Sequence, residues 1–110
     1  MDDFLPKSSL DDVQKDIANQ LQQSFSHLTE AERQEMCRDG LVEEVGEVFG
    51  IFKGRIRKYS KDNARCTTLD LKSELGDVLW YLTALCVLHG TSLDEIYQLN
   101  CKKLDGRNWR

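Results

Sequence analysis

The chain has 110 residues, 40% of them hydrophobic and 31% charged, and only one proline. This size and composition indicate a single domain over residues 1–110 with one hydrophobic core, and they argue against long disordered segments. The net charge of −4 argues against broad binding to nucleic acid, because such binding depends on many Lys and Arg side chains that neutralise phosphates.

Two amphipathic helices are predicted in the first half of the chain. Ser8 or Ser9 is placed to cap the first, and Thr29 with Glu32 has the pattern of a capping box that begins the second. The first helix has apolar residues at three- and four-residue steps: Leu10, Val13, Ile17, Leu21 and Phe25. The second has one apolar arc, which the pattern assigns to the core: Leu41, Val42, Val45, Val48, Phe49, Phe52 and Ile56.

Two further helices are predicted in the second half. Thr67 or Thr68 begins a third helix that ends at His89 and Gly90, where glycine permits the left-handed backbone of a helix terminus. Its main apolar face consists of Leu71, Leu75, Val78, Leu79, Leu82, Leu85 and Cys86, and the helix is expected to be buried nearly all round. Another capping pattern, Ser92 with Glu95, opens a fourth helix from Leu93 to about Leu104. No strand alternation is present, so the expected fold is an all-α four-helix assembly.

Two acidic clusters carry the strongest functional signal. E-E-x-x-E places Glu44 and Glu47 on one side of the second helix, and E-x-x-D places Glu74 and Asp77 on one side of the third. Glu74 and Asp77 lead into the uncharged run 78–88, where an unpaired ionised carboxylate is very costly. Four acids from two helices therefore predict a bound cation, and ligand oxygens alone favour Mg²⁺.

Other sites are less compatible with these residues. E-E-x-x-E by itself is also typical of a solvated helix face, and Glu43 is expected to point away from the acidic edge. Neither His27 nor His89 follows an acid at the Glu-x-x-His spacing, which argues against a di-iron or zinc site. No G-x-x-x-x-G-K-[ST] loop is present, so nucleotide binding would depend on a metal and on basic side chains.

Glycines recur at four-residue intervals in the second helix, where each costs about 1 kcal/mol relative to alanine. They are Gly46, Gly50 and Gly54. They predict either the close approach of a helix or ligand, or a bend or end of the helix near Gly54.

The cellular compartment is predicted from the cysteine spacing, the N-terminal residues and the length of the uncharged run. Cys37, Cys66, Cys86 and Cys101 lack the close spacings of metal sites, and a disulfide framework is not expected. No signal peptide is recognised at the N-terminus, and the uncharged run is shorter than the roughly 18–20 residues that span a bilayer. We therefore expect a cytoplasmic protein.

E-E-x-x-E, E-L-G-D-V-L and the tail N-x-x-K-L-x-x-R together resemble the MazG-type nucleoside triphosphate pyrophosphohydrolases of the all-α NTP pyrophosphatase superfamily, over roughly residues 10–107. The resemblance implies a homodimer or a dimer-of-dimers tetramer, with the active site near a subunit interface. It implies that Mg²⁺, for which Mn²⁺ can substitute, is held by Glu44, Glu47, Glu74 and Asp77. It further implies that the phosphates or the sugar of a nucleotide are bound by Lys53, Asn100, Lys103 and Arg107.

The implied reaction is hydrolysis of a (d)NTP between the α- and β-phosphates, which yields a (d)NMP and pyrophosphate. Glu44 or Glu47 would orient or deprotonate the attacking water. Tyr81, Trp80 or Trp109 is placed to stack on the base, with a core role as the alternative for Tyr81 and Trp80. Residues 55–65 do not align with the family, so base selectivity is not predicted. A non-catalytic helical interaction or regulatory module, with surface acids, remains the alternative function.

Overall fold

The computed structural model describes residues 7–56 and 68–106. These residues form four α-helices: α1 (Leu10–Phe25), α2 (Glu30–Ile56), α3 (Thr68–Leu88) and α4 (Leu93–Gly106). No strand occurs within the described ranges. The prediction of an all-helical, four-helix fold is confirmed.

Helix α1 begins at Ser9, one of its two predicted caps, where Asp12 completes a capping box that was not predicted, and α2 begins at its predicted capping box. In α1, the Ser9 hydroxyl accepts from the Asp12 backbone N–H at 3.1 Å, and the Asp12 carboxylate accepts from the Ser9 N–H at 3.4 Å. The reciprocal bonds of Thr29 and Glu32 at the start of α2 measure 3.1 and 2.9 Å. Each cap satisfies donors that a helix start leaves unpaired and contributes about 1 kcal/mol.

A side chain from α1 holds the corner between α3 and α4. Gly90 has a φ of 70°, which ends α3 as predicted, and the Ser92 hydroxyl accepts from the Glu95 N–H at 3.0 Å. The Gln14 amide donates to the Thr91 carbonyl at 3.4 Å and accepts from the Leu93 N–H at 2.8 Å. This amide pairs two backbone groups of the corner and fixes α4 relative to α1.

The core lies where α1, α2 and α3 meet. Its buried members are Ile17, Leu21, Cys37 and Ala84. The most extensive helix pair is α2 with α3, and α1 packs across α3. Within the described ranges, no helix combines the length and the apolar character that crossing a bilayer requires.

The orientation of α2 differs from the prediction. Val42, Val45, Phe49 and Phe52 of the expected core face are exposed, and we call these four residues the outer arc. Val42 is 71% and Phe49 68% exposed, whereas Ile51, on the acidic side of the helix, is only 2% exposed. The prediction was wrong because an amphipathic pattern locates an apolar stripe without saying whether the same chain covers it.

Burial of α3 also differs from the prediction. Leu75 and Leu79 are exposed, while Thr83, Ala84 and Cys86 further along the helix are buried. The hydroxyl of Thr83 donates to the Leu79 carbonyl at 2.7 Å, which satisfies a polar group in the interior. Thus only the C-terminal half of α3 enters the core of one chain.

Cysteines and glycines complete the comparison with the sequence. Cys37, Cys86 and Cys101 are free, as expected, and Cys66 lies outside the described residues. Helix α2 is described as far as Ile56, two residues after Gly54, which agrees with the expectation that it ends near Gly54. Apart from the adjacent residues and the nearby backbone of α2 itself, no atom of the described residues lies within 4 Å of a Cβ built on Gly46 or Gly50.

Candidate metal centre

Three of the four predicted acids converge between α2 and α3. Carboxylate oxygens of Glu44, Glu74 and Asp77 lie within 4.8 Å of one another, and we call these residues the carboxylate cluster. Glu44 and Glu74 are half-buried, while Asp77 is exposed. The helical spacing explains the convergence, because Glu74 and Asp77 lie one turn apart on the side of α3 that faces α2.

The fourth predicted acid lies outside this cluster. Glu47 is exposed, one turn along α2 from Glu44, and does not belong to the group of mutually close oxygens. Its charge nevertheless acts on Glu44. Glu43 is exposed, as expected.

The electrostatics of the cluster are those of a site that attracts a cation. Desolvation by burial raises the pKa of the Glu44 carboxyl, and the carboxylates of Asp77 and Glu74 raise it further. Glu43 and Glu47 act in the same direction. A nearby divalent cation would reverse this effect, because it favours the ionised form of each carboxyl group.

The donor set also fits Mg²⁺ in size and chemistry. Mg²⁺ binds oxygens at about 2.1 Å, so two ligands on opposite sides of the ion lie about 4.2 Å apart. The oxygens of the cluster, within 4.8 Å, approach this limit.

An aromatic groove adjoins the cluster. Its volume is about 270 Å³, and it is lined by Phe25, Glu44, Asp77, Trp80 and Tyr81. The ring centroids of Phe25 and Trp80 lie 6.2 Å apart, and those of Trp80 and Tyr81 lie 5.1 Å apart. Burial raises the pKa of the Tyr81 hydroxyl, and Glu44 adds to this shift. The groove therefore joins carboxylates and aromatic rings in one place.

Sequence reasoning missed two residues that shape this groove. Phe25 was assigned only to the apolar stripe of α1, since nothing local separates a groove-lining aromatic residue from a core residue. Gly40 on α2 faces the Tyr81 ring so closely that an added Cβ would overlap the ring atoms. The absence of a side chain at Gly40 lets the ring lie where it does, and the spacing pattern of Gly46, Gly50 and Gly54 gave no hint of it.

The predicted substrate-binding residues lie in several different parts of the structure. Tyr81 lies in the aromatic groove, beside the acids. Asn100 instead lines a separate groove of about 340 Å³ with Leu10, Leu79, Leu93, Ile96 and Tyr97. Lys103 is exposed in the last turn of α4. Lys53 belongs to α2, but its side chain lies outside the described part of the chain, as do Arg107 and Trp109.

The sequence of the chain matches the profile of a known protein family. The profile of a family described as the MazG nucleotide pyrophosphohydrolase domain matches residues 32–109, which is more than half of the chain. The chain belongs to the MazG family. The matched MazG segment contains both acidic motifs, and helix α1 precedes it.

A viral relative shares much of this MazG chain. The Gene 37 protein of Mycobacterium phage L5 is 35% identical over 75 residues, which cover 64% of this chain. The same residues cover 62% of the phage protein, less than two-thirds of its length. No solved structure shows a significant match to the chain.

Proposed function

We propose that this MazG chain is a Mg²⁺-dependent nucleoside triphosphate pyrophosphohydrolase. It cleaves a (d)NTP between the α- and β-phosphates and releases a (d)NMP and pyrophosphate. The observation that carries the proposal is the convergence of the Glu44, Glu74 and Asp77 carboxylates between two helices of a MazG domain. Such a cluster is costly without a cation and suits a metal that also binds phosphates.

The acids have distinct roles in this proposal. Glu44, Glu74 and Asp77 hold the Mg²⁺, Glu47 completes the set from the next turn of α2, and Mn²⁺ can substitute. When bound, the metal neutralises phosphate charge and lowers the pKa of a coordinated water. Glu44 or Glu47 orients that water or accepts its proton.

Basic and polar residues complete substrate binding. Tyr81 contacts the nucleotide from the aromatic groove, and Lys53, Asn100, Lys103 and Arg107 bind phosphates or sugar. Asn100 lines a different groove from the carboxylate cluster. We therefore infer that residues of α4 act on the site of a second copy of the chain.

The outer arc supports a homo-oligomer, either a dimer or a tetramer. Val42, Val45, Phe49 and Phe52 form an apolar surface of α2 that is exposed among the described residues. Covering such a surface with a second copy removes it from water and stabilises the assembly. We further propose a cytoplasmic enzyme that acts on nucleotide pools, without nucleic acid or membrane partners.

The alternative function is a non-catalytic helical interaction or regulatory module. The same outer arc favours it, because an exposed apolar helix face also fits a different protein partner. The two functions differ in whether the carboxylate cluster takes part in chemistry.

A substrate panel distinguishes these functions. Purified protein is incubated with each NTP and dNTP in the presence of Mg²⁺ or Mn²⁺, and the products are separated by chromatography. We expect equal amounts of monophosphate and pyrophosphate, and no product after chelation of the metal. Failure to hydrolyse any NTP or dNTP with either metal would favour the interaction module.

A further inference from the structure

A contact between a glycine and a tyrosine joins α2 to α3 beside the carboxylate cluster. A Cβ built on Gly40 would overlap the Cδ1, Cε1 and Cζ atoms of Tyr81, so the backbone of α2 lies directly against the ring. Gly40 lies four residues before Glu44 in α2, and Tyr81 lies four residues after Asp77 in α3. Four residues of α-helix are about 6 Å long, or about one turn. The contact is therefore one turn away from the carboxylates on both helices.

Small buried side chains continue this packing on the side away from the cluster. Cys37, three residues before Gly40, and Ala84, three residues after Tyr81, are fully buried and belong to the same core. The distance between two packed helices depends on the side chains at the contact, and it varies from about 8 to 10 Å. The Tyr81 ring is the largest of these groups, so it determines how closely the α2 backbone approaches α3.

The Tyr81 ring is also confined from a second side. Its centroid lies 5.1 Å from that of the Trp80 ring, at an interplanar angle of 79°. The indole N–H of Trp80 donates to the side-chain oxygen of Gln20, in α1, at 2.6 Å. This bond restricts rotation of the indole. A group added at Gly40 would therefore displace α2 more readily than the Tyr81 ring.

The separation of α2 and α3 matters because the two helices supply different ligands. Glu44 belongs to α2, whereas Glu74 and Asp77 belong to α3, and their oxygens lie within 4.8 Å of one another. Oxygens on opposite sides of Mg²⁺ are about 4.2 Å apart, whereas Ca²⁺ binds each oxygen at about 2.3–2.6 Å and accepts a separation of about 4.6–5.2 Å. A shift of about 0.5 Å between the helices is therefore enough to favour one cation over the other.

We propose that the Gly40–Tyr81 contact is a spacer that selects Mg²⁺ over Ca²⁺, with Gly40 and Tyr81 as positioning residues for Glu44. The contact keeps α2 close enough to α3 for Glu44 to share a small ion with the two acids of α3. This inference rests on the proposed function, because it concerns the metal of the same site. A purely structural role for the contact would affect stability and leave the preference between the two cations unchanged.

The first experiment titrates the nucleotide-free protein with Mg²⁺ or Ca²⁺ alone and derives dissociation constants from ¹H–¹⁵N spectra. The wild type should bind Mg²⁺ more tightly than Ca²⁺. In Gly40→Ala, Mg²⁺ binding should weaken about 10-fold and Ca²⁺ binding should change by less than about twofold, because positioning residues contribute on this scale and Ca²⁺ tolerates a wider site. Equal weakening of both cations, or of neither, would contradict the spacer. A wild type that prefers Ca²⁺ would overturn it without reference to any variant.

Gly76→Ala is the matched control for the added methyl group. Gly76 lies in α3 between Glu74 and Asp77, and a Cβ built there meets open space. The variant should keep the cation preference of the wild type. Loss of the preference in Gly76→Ala would show that any methyl group near the acids has this effect, which contradicts a specific contact.

The second experiment tests whether the tyrosine ring carries the effect. Tyr81→Leu removes the ring atoms that the new methyl group would overlap. In that background, Gly40→Ala should change the ratio of the two dissociation constants by less than about twofold, since the two substitutions act on one contact. Tyr81→Phe retains the ring and should retain the preference for Mg²⁺. A full Gly40→Ala effect without the ring, or loss of the preference in Tyr81→Phe, would contradict the spacer.

These outcomes separate the inference from the proposed function. Nucleotide hydrolysis by a wild type whose cation preference survives Gly40→Ala would refute the spacer and keep the enzyme. Loss of the preference in Gly40→Ala, in a protein whose wild type hydrolyses no nucleotide, would keep the spacer and refute the enzyme. Absence of Mg²⁺ binding by the wild type would contradict both.

Discussion

The two sides of α2 differ in a way that is unusual for an amphipathic helix. The side with Glu44 and Ile51 faces α3, so a half-buried acid and a buried isoleucine lie on the same side of the helix. The opposite side carries the outer arc, where Val42 and Phe49 are mostly exposed. This arrangement is the reverse of the usual one, in which the apolar side of an amphipathic helix faces the core and the charged side faces solvent. Each prediction below alters one of these sides.

The largest effect is expected on the inner side, from Glu74→Gln. The substitution removes a charged ligand and preserves the size of the side chain, so turnover should fall at least about 100-fold with the helical fold retained. Steady-state kinetics at saturating Mg²⁺ and circular dichroism check both parts. Glu43→Gln, at an exposed acid of α2 outside the carboxylate cluster, should retain near-normal turnover. Equal rates in Glu74→Gln and the wild type would remove Glu74 from the site.

On the outer side, Phe49→Asp should dissociate the proposed homo-oligomer. An aspartate in a covered apolar surface is costly, whereas at an exposed position of a monomer it changes stability by less than about 0.5 kcal/mol. Sedimentation velocity should show the mass falling to that of one chain, with a parallel loss of activity if α4 acts on a second copy. Leu69→Asp, at an exposed leucine outside the outer arc, should keep the wild-type mass. An unchanged mass for Phe49→Asp would show that the outer arc is not the interface.

The helices were predictable from the sequence because their signals are local. Capping boxes at Ser9 and Thr29 and the glycine at the end of α3 each depend on residues within four positions. The approach of Glu44 to Glu74 and Asp77 was predicted from the two acidic motifs and the apolar run beside them, but the sequence did not show that Glu47 lies outside the cluster. Assignment of metal-binding and catalytic roles to these acids stays a prediction.

The orientation of α2 and the walls of the groove were not predictable in the same way. Its outer arc is as apolar as a core face, and only tertiary packing decides which side meets α3. Contacts of Gln20 with Trp80 and of Gly40 with Tyr81 join distant parts of the chain, and no periodic pattern encodes them. Local sequence signals therefore predict where the helices lie along the chain. Tertiary packing determines which side of each helix contacts the rest of the protein.

A smaller effect on the inner side is expected from Gly40→Ala. Its new methyl group would overlap the Tyr81 ring, and relief requires a shift of the ring or of α2, at a cost of about 1–3 kcal/mol. Urea denaturation should show this loss of stability, with a raised KM because Tyr81 lines the groove. Gly76→Ala is the control in α3, where the added methyl group meets open space, and it should stabilise the fold by about 0.5–1 kcal/mol. Unchanged stability in Gly40→Ala would contradict the close packing of this glycine.

The smallest effect concerns pH and Glu44. Desolvation and the neighbouring acids raise the pKa of Glu44 in the folded state, so the folded chain binds a proton more tightly than the unfolded chain. Without metal, stability should therefore fall as pH rises from the unfolded to the folded pKa of this group and stay lower above it. Glu44→Gln should flatten this dependence and stabilise the metal-free protein at neutral pH, as measured by urea denaturation in a chelator. If Glu44→Gln were less stable than the wild type at neutral pH, the claim that burial and the neighbouring acids disfavour ionised Glu44 would be contradicted.

The most direct test of the inner side is the position of a metal in a crystal. Crystals soaked in Mn²⁺ give an anomalous signal that locates the ion without reference to activity. We predict one strong peak between α2 and α3, with oxygens of Glu44, Glu74 and Asp77 at about 2.0–2.3 Å. A peak elsewhere, or none at a Mn²⁺ concentration that supports nucleotide hydrolysis, would contradict the account.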